Sequence, residues 1–108
     1  MPLIPREELL EILREVKERL QEILDDDLVE VILFGSYTRG EAREDSDVDV
    51  LVVVKRWPDT EKLEKIGELS AELVLEHGVV FSLIPYVENP EMSSDPLIWN
   101  VNAEGVRI

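Results

Sequence analysis

Two short clusters in the first half of the chain carry residue types suited to phosphate chemistry. Gly35-Ser36 closes the apolar run at residues 29–34, and Ser46-Asp47-Val48-Asp49 opens a second apolar run about ten residues later. Gly35 permits a tight turn and close approach of a phosphate or another backbone. Ser36 stands where a helix would begin, with a hydroxyl and the free amides of a first helical turn beside it, a ready anion site. Asp47 and Asp49 flank Val48 at the head of a strand, and alternation puts both side chains on one face. Two carboxylates among Val and Leu are costly unless a cation pairs with them. A hard divalent cation takes oxygen ligands, and Mg²⁺ normally brings triphosphate oxygens with it. A phosphate-cradling turn beside a two-carboxylate clamp suits phosphoryl or nucleotidyl transfer, in which positioning and charge neutralisation carry most of the catalysis.

The flanking elements must bring these clusters together. Residues 5–24 read as an amphipathic helix, with Leu9, Leu13, Val16, Leu20 and Ile23 at spacings of three and four. Asp25-Asp26-Asp27 follows, the wrong charge for a helix C-terminus, and reads as a solvated turn with metal binding as the other option. Residues 29–34 are a β-branched strand ended by Gly35, and residues 48–54 are apolar enough for a central strand covered on both faces. Pro58-Asp59-Thr60 starts a helix that runs to about Glu76 and stops at Gly78. Residues 79–87 read as a third strand, with Pro85 marking an edge or bulge. A short helix follows at residues 96–103. The order α-β-(short α)-β-α-β-α predicts one α/β (α+β) domain over residues 1–108, a small mixed sheet of three or four strands packed by helices.

Composition narrows the function classes. The chain has 108 residues, above the roughly 40-residue range in which disulfides or metals must staple a fold. There are 25 acidic and 11 basic residues, a formal charge of -14, so direct electrostatic nucleic-acid binding is not expected. There is no Cys and one His, which excludes thiol catalysis and metal sites built on Cys or on several imidazoles. No apolar run approaches the roughly 20 residues that span a bilayer, and the N-terminal segment beginning Met1-Pro2 lacks a secretory pattern. A cytoplasmic protein with no membrane partner is the expectation. Abundant Glu, a single Gln and no Cys lean towards a thermophilic source.

Gly35-Ser36, then Gly40, then Ser46-Asp47-Val48-Asp49 before an apolar strand resembles the nucleotidyltransferase superfamily typified by DNA polymerase beta. The short chain resembles its minimal nucleotidyltransferase branch, many of whose members act as antitoxins beside a HEPN-domain protein. The resemblance implies that Gly35 and Ser36 hold the β- and γ-phosphates of ATP or another NTP. It implies that Arg39, Gly40 and Ser46 join the nucleotide site. It implies that Asp47 and Asp49 are the catalytic Mg²⁺ ligands, for one ion or two. Arg39 and Arg43 could neutralise the triphosphate, with helix-surface ion pairing the plainer role for Arg43. Active members carry a third carboxylate on a later strand, and the apolar pattern puts Ser82 at that position. Glu76 and Glu88 flank the strand as possible substitutes. The implied activity is AMP transfer to a hydroxyl, with a HEPN toxin as the acceptor.

A second function is a catalytically impaired module of the same fold that neutralises its partner by masking it. Modification of a small molecule ranks last, since a chain this short has little room for an acceptor pocket. Other residues carry two readings each. His77 is a helix-dipole partner or a proton carrier. Trp57 packs over one sheet end or stacks on a base. Tyr37 lines the nucleotide site or packs on the first helix. The apolar tail with Leu97, Ile98, Trp99 and Val101 is core or a partner surface. An edge strand together with this tail leaves a homo-oligomer open.

Overall fold

The computed structural model describes residues 3–43 and 45–108; Met1 and Pro2 of the N-terminal segment, and Glu44 between the two clusters, lie outside the described residues. Helix α1 spans Arg6–Leu24 and buries Leu9, Ile12, Leu13, Val16, Leu20 and Leu24, while Ile23 of the expected stripe is only half-buried against the same core. The acidic run after it forms a 3₁₀ turn, Asp25–Asp27. Asp27 is more than a solvated turn residue: it pairs with Arg56 at 3.1 Å and Lys62 at 3.5 Å. Its backbone carbonyl accepts from Lys55 at 2.8 Å. An acid that looks misplaced after α1 thus ties the turn to a later loop and helix.

Strand β1 (Leu28–Phe34) leads into a single helical turn, α2 (Ser36–Arg39), and then to β2 (Val48–Val54). Helix α3 (Thr60–His77), β3 (Phe81–Val87), α4 (Pro96–Glu104) and β4 (Val106–Arg107) complete the chain. The sheet order is β3-β2-β1-β4. β1 pairs antiparallel with β2 and β4, and β2 pairs parallel with β3. A parallel pair needs a crossover, and α3 supplies it. The third strand starts at Phe81, two residues inside the predicted segment, and leaves Val80 exposed. Strand β4 is too short to signal itself in sequence. It nonetheless covers one edge of the sheet, where the Ile108 amide donates to Val31 at 2.9 Å.

The central place of β2 follows from its composition. Val48, Val50, Val52 and Val54 face α1 and α3 in the larger core. Leu51 and Val53 face the other way, with Ile32, and pack on Ile98 and Val101 of α4. Side-chain alternation along one strand therefore feeds two hydrophobic layers. Asp49 has the parity of Leu51 and Val53, so it belongs to the α4 face. Among the described residues, no helix is long and apolar enough to cross a membrane.

Helices α3 and α4 start on capping carboxylates. Asp59 accepts from the Lys62 amide at 2.9 Å, and Asp95 from the Leu97 amide at 2.9 Å. Asp95 also accepts from the Tyr86 hydroxyl of β3 at 2.7 Å, which fastens the start of α4 to the sheet. The Tyr86 hydroxyl, and after it the Leu97 amide, hold the Asp95 carboxyl below its usual range. A depressed carboxyl adds stability above its unfolded value and loses it as pH falls through the folded value. Tyr86→Phe is therefore expected to raise the Asp95 titration, followed by carboxyl-carbon NMR. The stability deficit of the variant is expected at neutral pH and to narrow below the carboxylate range in denaturant melts.

Candidate active site

The two sequence clusters meet because β1 and β2 run antiparallel. Phe34, the last residue of β1, pairs with Asp49 near the start of β2. The next residue, Gly35, therefore turns directly beside the Asp49 side chain. Its backbone lies at φ 84 and ψ -156, a region that L side chains rarely enter. A Cβ built on Gly35 would overlap Asp49 Oδ2 and sit 3.2 Å from its Cγ. The glycine thus answers two demands at once, the backbone turn and the space for a carboxylate.

Helix α2 begins at Ser36, so the hydroxyl and the first-turn amides follow directly on the residue that packs against that carboxylate. The turn is pinned from within. Thr38 donates to the Gly35 carbonyl through both its amide, at 3.1 Å, and its hydroxyl, at 2.7 Å. Gly40 ends the helix in the left-handed region at φ 70, and Glu41 returns an amide to Ser36 at 3.0 Å. Ser46 closes the following turn: its hydroxyl accepts from the Arg43 amide at 2.8 Å, and its amide donates to the Arg43 carbonyl at 2.9 Å. Ser46 and the Arg43 backbone thereby fix where Asp47 emerges.

Asp47 precedes β2 and is exposed, while Asp49 is half-buried inside it. Burial raises the Asp49 pKa first, and the negative charge of Asp47 raises it further. Arg39 lies near enough to lower it in part. Arg39 is itself engaged, donating to Glu41 and to Glu104 at 3.1 Å each. Two neighbouring carboxylates with Arg39 acting on Asp49 are an under-neutralised pair. Their hard oxygens fit a divalent cation such as Mg²⁺.

Ser82 of β3 pairs with Asp49 of β2 and is half-buried beside it. A neutral hydroxyl occupies the place next to the carboxylate. The two flanking acids lie elsewhere. Glu76 is on α3, which covers the opposite face, and its carboxylate is 3.6 Å from His77. Glu88 follows the far end of β3, where its amide donates to Val54. Among the described residues, no group of three or more His, Asp or Glu side chains is arranged to hold a metal ion.

The remaining candidates separate clearly. Tyr37 packs against the α1–α3 core. Trp57 is 60% exposed after the C-terminal end of β2, so it is neither a packed lid nor near Asp49. His77 ends α3 with its ring 6.1 Å from that of Phe81, on the α1–α3 side. In the tail, Ile98 and Val101 are core while Trp99 stays 71% exposed. Sequence reasoning missed Glu104, whose only signal is an acid at the last position of a helix.

Comparison with known proteins identifies the family and the fold. The family described as "Nucleotidyltransferase domain" matches residues 11–100. A Methanocaldococcus jannaschii protein named "Putative protein adenylyltransferase MJ0141" is 38% identical over 97 residues, covering 90% of this chain and 98% of that protein. A solved toxin–antitoxin with AMP-PNP shares the fold at a TM-score of 0.58 and 21% identity, covering 87% of this chain and 69% of the other. A complex of a tri-AMPylated Shewanella oneidensis HEPN toxin with an MNT antitoxin shares it at a TM-score of 0.53 and 20% identity, covering 92% and 69%. With the family match spanning most of its length and a relative matched almost end to end, the chain belongs to the nucleotidyltransferase domain family.

Proposed function

We propose that this chain is a Mg²⁺-dependent protein adenylyltransferase. It binds ATP at the Gly35–Asp49 site and transfers AMP to a hydroxyl on a HEPN-type partner. The observation that carries this reading is the Asp49 carboxylate, packed against the bare Cα of Gly35 and repelled by Asp47. Such a pair is costly for the fold and useful to a metal–triphosphate ligand. Support for the nucleotide and acceptor comes from the similar proteins, one solved with AMP-PNP and one with an AMPylated HEPN toxin.

In the reaction, a bond forms between the acceptor oxygen and the α-phosphorus of ATP. The bond from that phosphorus to the bridging oxygen breaks, pyrophosphate leaves, and the acceptor proton passes to solvent. Asp47 and Asp49 would hold Mg²⁺, which supplies charge neutralisation and polarises the phosphate oxygens. Gly35 supplies the turn that seats Asp49, and the Ser36 hydroxyl with the Ser36 and Tyr37 amides would bind the phosphates. Gly40 and Ser46 hold the turns that carry these groups. Arg39 adds a cation at the rim. The charge of -14 favours encounter with a basic partner.

Ser82 beside Asp49 favours a second reading, an impaired domain that binds its partner without modifying it. One experiment separates the two. The chain is mixed with a HEPN-type partner, Mg²⁺ and α-labelled ATP. Wild type is expected to label the partner, and Asp49→Asn to label it about a hundredfold less or weaker still. A stable complex without label supports masking and contradicts transfer. A stability measurement accompanies it. The raised Asp49 carboxyl contributes stability that is lost as pH rises through its folded value. Without divalent cation at neutral pH, Asp49→Asn is expected to melt above wild type. Added Mg²⁺ is expected to stabilise wild type alone.

A further inference from the structure

We infer that Glu104 is a positioning residue for nucleotide binding: from the end of α4 it holds the Arg39 guanidinium at the rim of the Asp47–Asp49 site and leaves the unshared N–H groups of that guanidinium for the triphosphate. This rests on the ATP reading above. The two residues are 65 apart in sequence, and Arg39 Nη1 donates to Glu104 Oε2 at 3.1 Å. Arg39 Nε donates to Glu41 Oε2, also at 3.1 Å. A guanidinium carries five N–H groups, so these two bonds leave three unshared.

Three further observations point the same way. Glu104 ends α4, at the negative pole of the helix dipole, where a cation would serve the helix better. Its placement is explained by Arg39. Its position is also fixed, because β4 begins two residues later and pairs Val106 with Leu33 of β1. Glu41 is a local neighbour of Arg39 with a side chain 66% exposed, against 40% for Glu104. Glu41 keeps the Nε end of Arg39, and the alternative partner for an Nη1 end released from Glu104 is the Asp49 carboxylate, whose charge Arg39 already feels. Pairing there would put the guanidinium against a cation ligand. Held by Glu104, the side chain has already lost the rotamer freedom that binding would otherwise cost.

The test is ATP affinity with Mg²⁺, by calorimetry, for wild type, Glu104→Gln, Arg39→Ala and the double variant. Glu104→Gln is expected to weaken ATP roughly two- to fivefold, the scale of an exposed ion pair. In the Arg39→Ala background it is expected to add nothing. The Arg39 Nη1–H resonances of the ligand-free protein, which report the bond to Glu104, are expected to exchange faster with water in Glu104→Gln. Glu104→Asp, which keeps the charge, is expected to fall between wild type and Glu104→Gln. Wild-type affinity in Glu104→Gln, or an equal loss with and without Arg39, overturns the inference while the function stands. A wild type that does not bind ATP overturns both.

Discussion

The site depends on one close approach, that of the Asp49 carboxylate to the bare Cα of Gly35. No other residue fits there, because a Cβ would overlap Oδ2 and because φ is 84. The antiparallel register of β1 and β2 enforces the contact, since Phe34 pairs with Asp49 and the chain must turn at the next residue. The turn that frees the first amides of α2 is thus the same turn that seats the carboxylate. The groups proposed to bind phosphate and cation are brought together by one strand pairing.

The rest of the fold holds that pairing still. β2 is buried on both faces and cannot slip by one residue without driving its Val side chains into the wrong layer. Asp49 is carried on the α4 face by the same alternation, and α4 closes that layer with Ile98 and Val101. The acid–base links then act at longer range. Asp95 joins β3 to the start of α4, and Glu104 joins the end of α4 to Arg39. A helix that looks like a packing element in sequence therefore touches the site at its last residue.

Much of this was legible in the residues. The β-branched runs marked β1 and β2, and alternation along β2 gave the face of Asp49, while Asp47 lies just outside the strand. The apolar pattern of β3 placed Ser82, and the register sets it beside Asp49. What stayed hidden depended on contacts remote in sequence. Glycine at position 35 signalled a close approach, though only the structure identifies the Asp49 oxygen as what approaches. The acidic run at residues 25–27 had no visible partner until Arg56 and Lys62 came to Asp27. Trp57 looked like a packing residue because large aromatics usually are, yet its loop leaves it exposed. β4 was missed because two residues carry no period.

The most direct test is the affinity of Gly35→Ala for ATP with Mg²⁺, set against Gly40→Ala. Both glycines have positive φ, so both variants carry backbone strain. Nothing lies within 4 Å of a Cβ added at Gly40, whereas one added at Gly35 meets the Asp49 carboxylate. Folded Gly35→Ala is expected to lose at least about tenfold in affinity, and more than Gly40→Ala does. Wild-type affinity in Gly35→Ala would contradict the account, because the carboxylate would then not need the space that the glycine leaves.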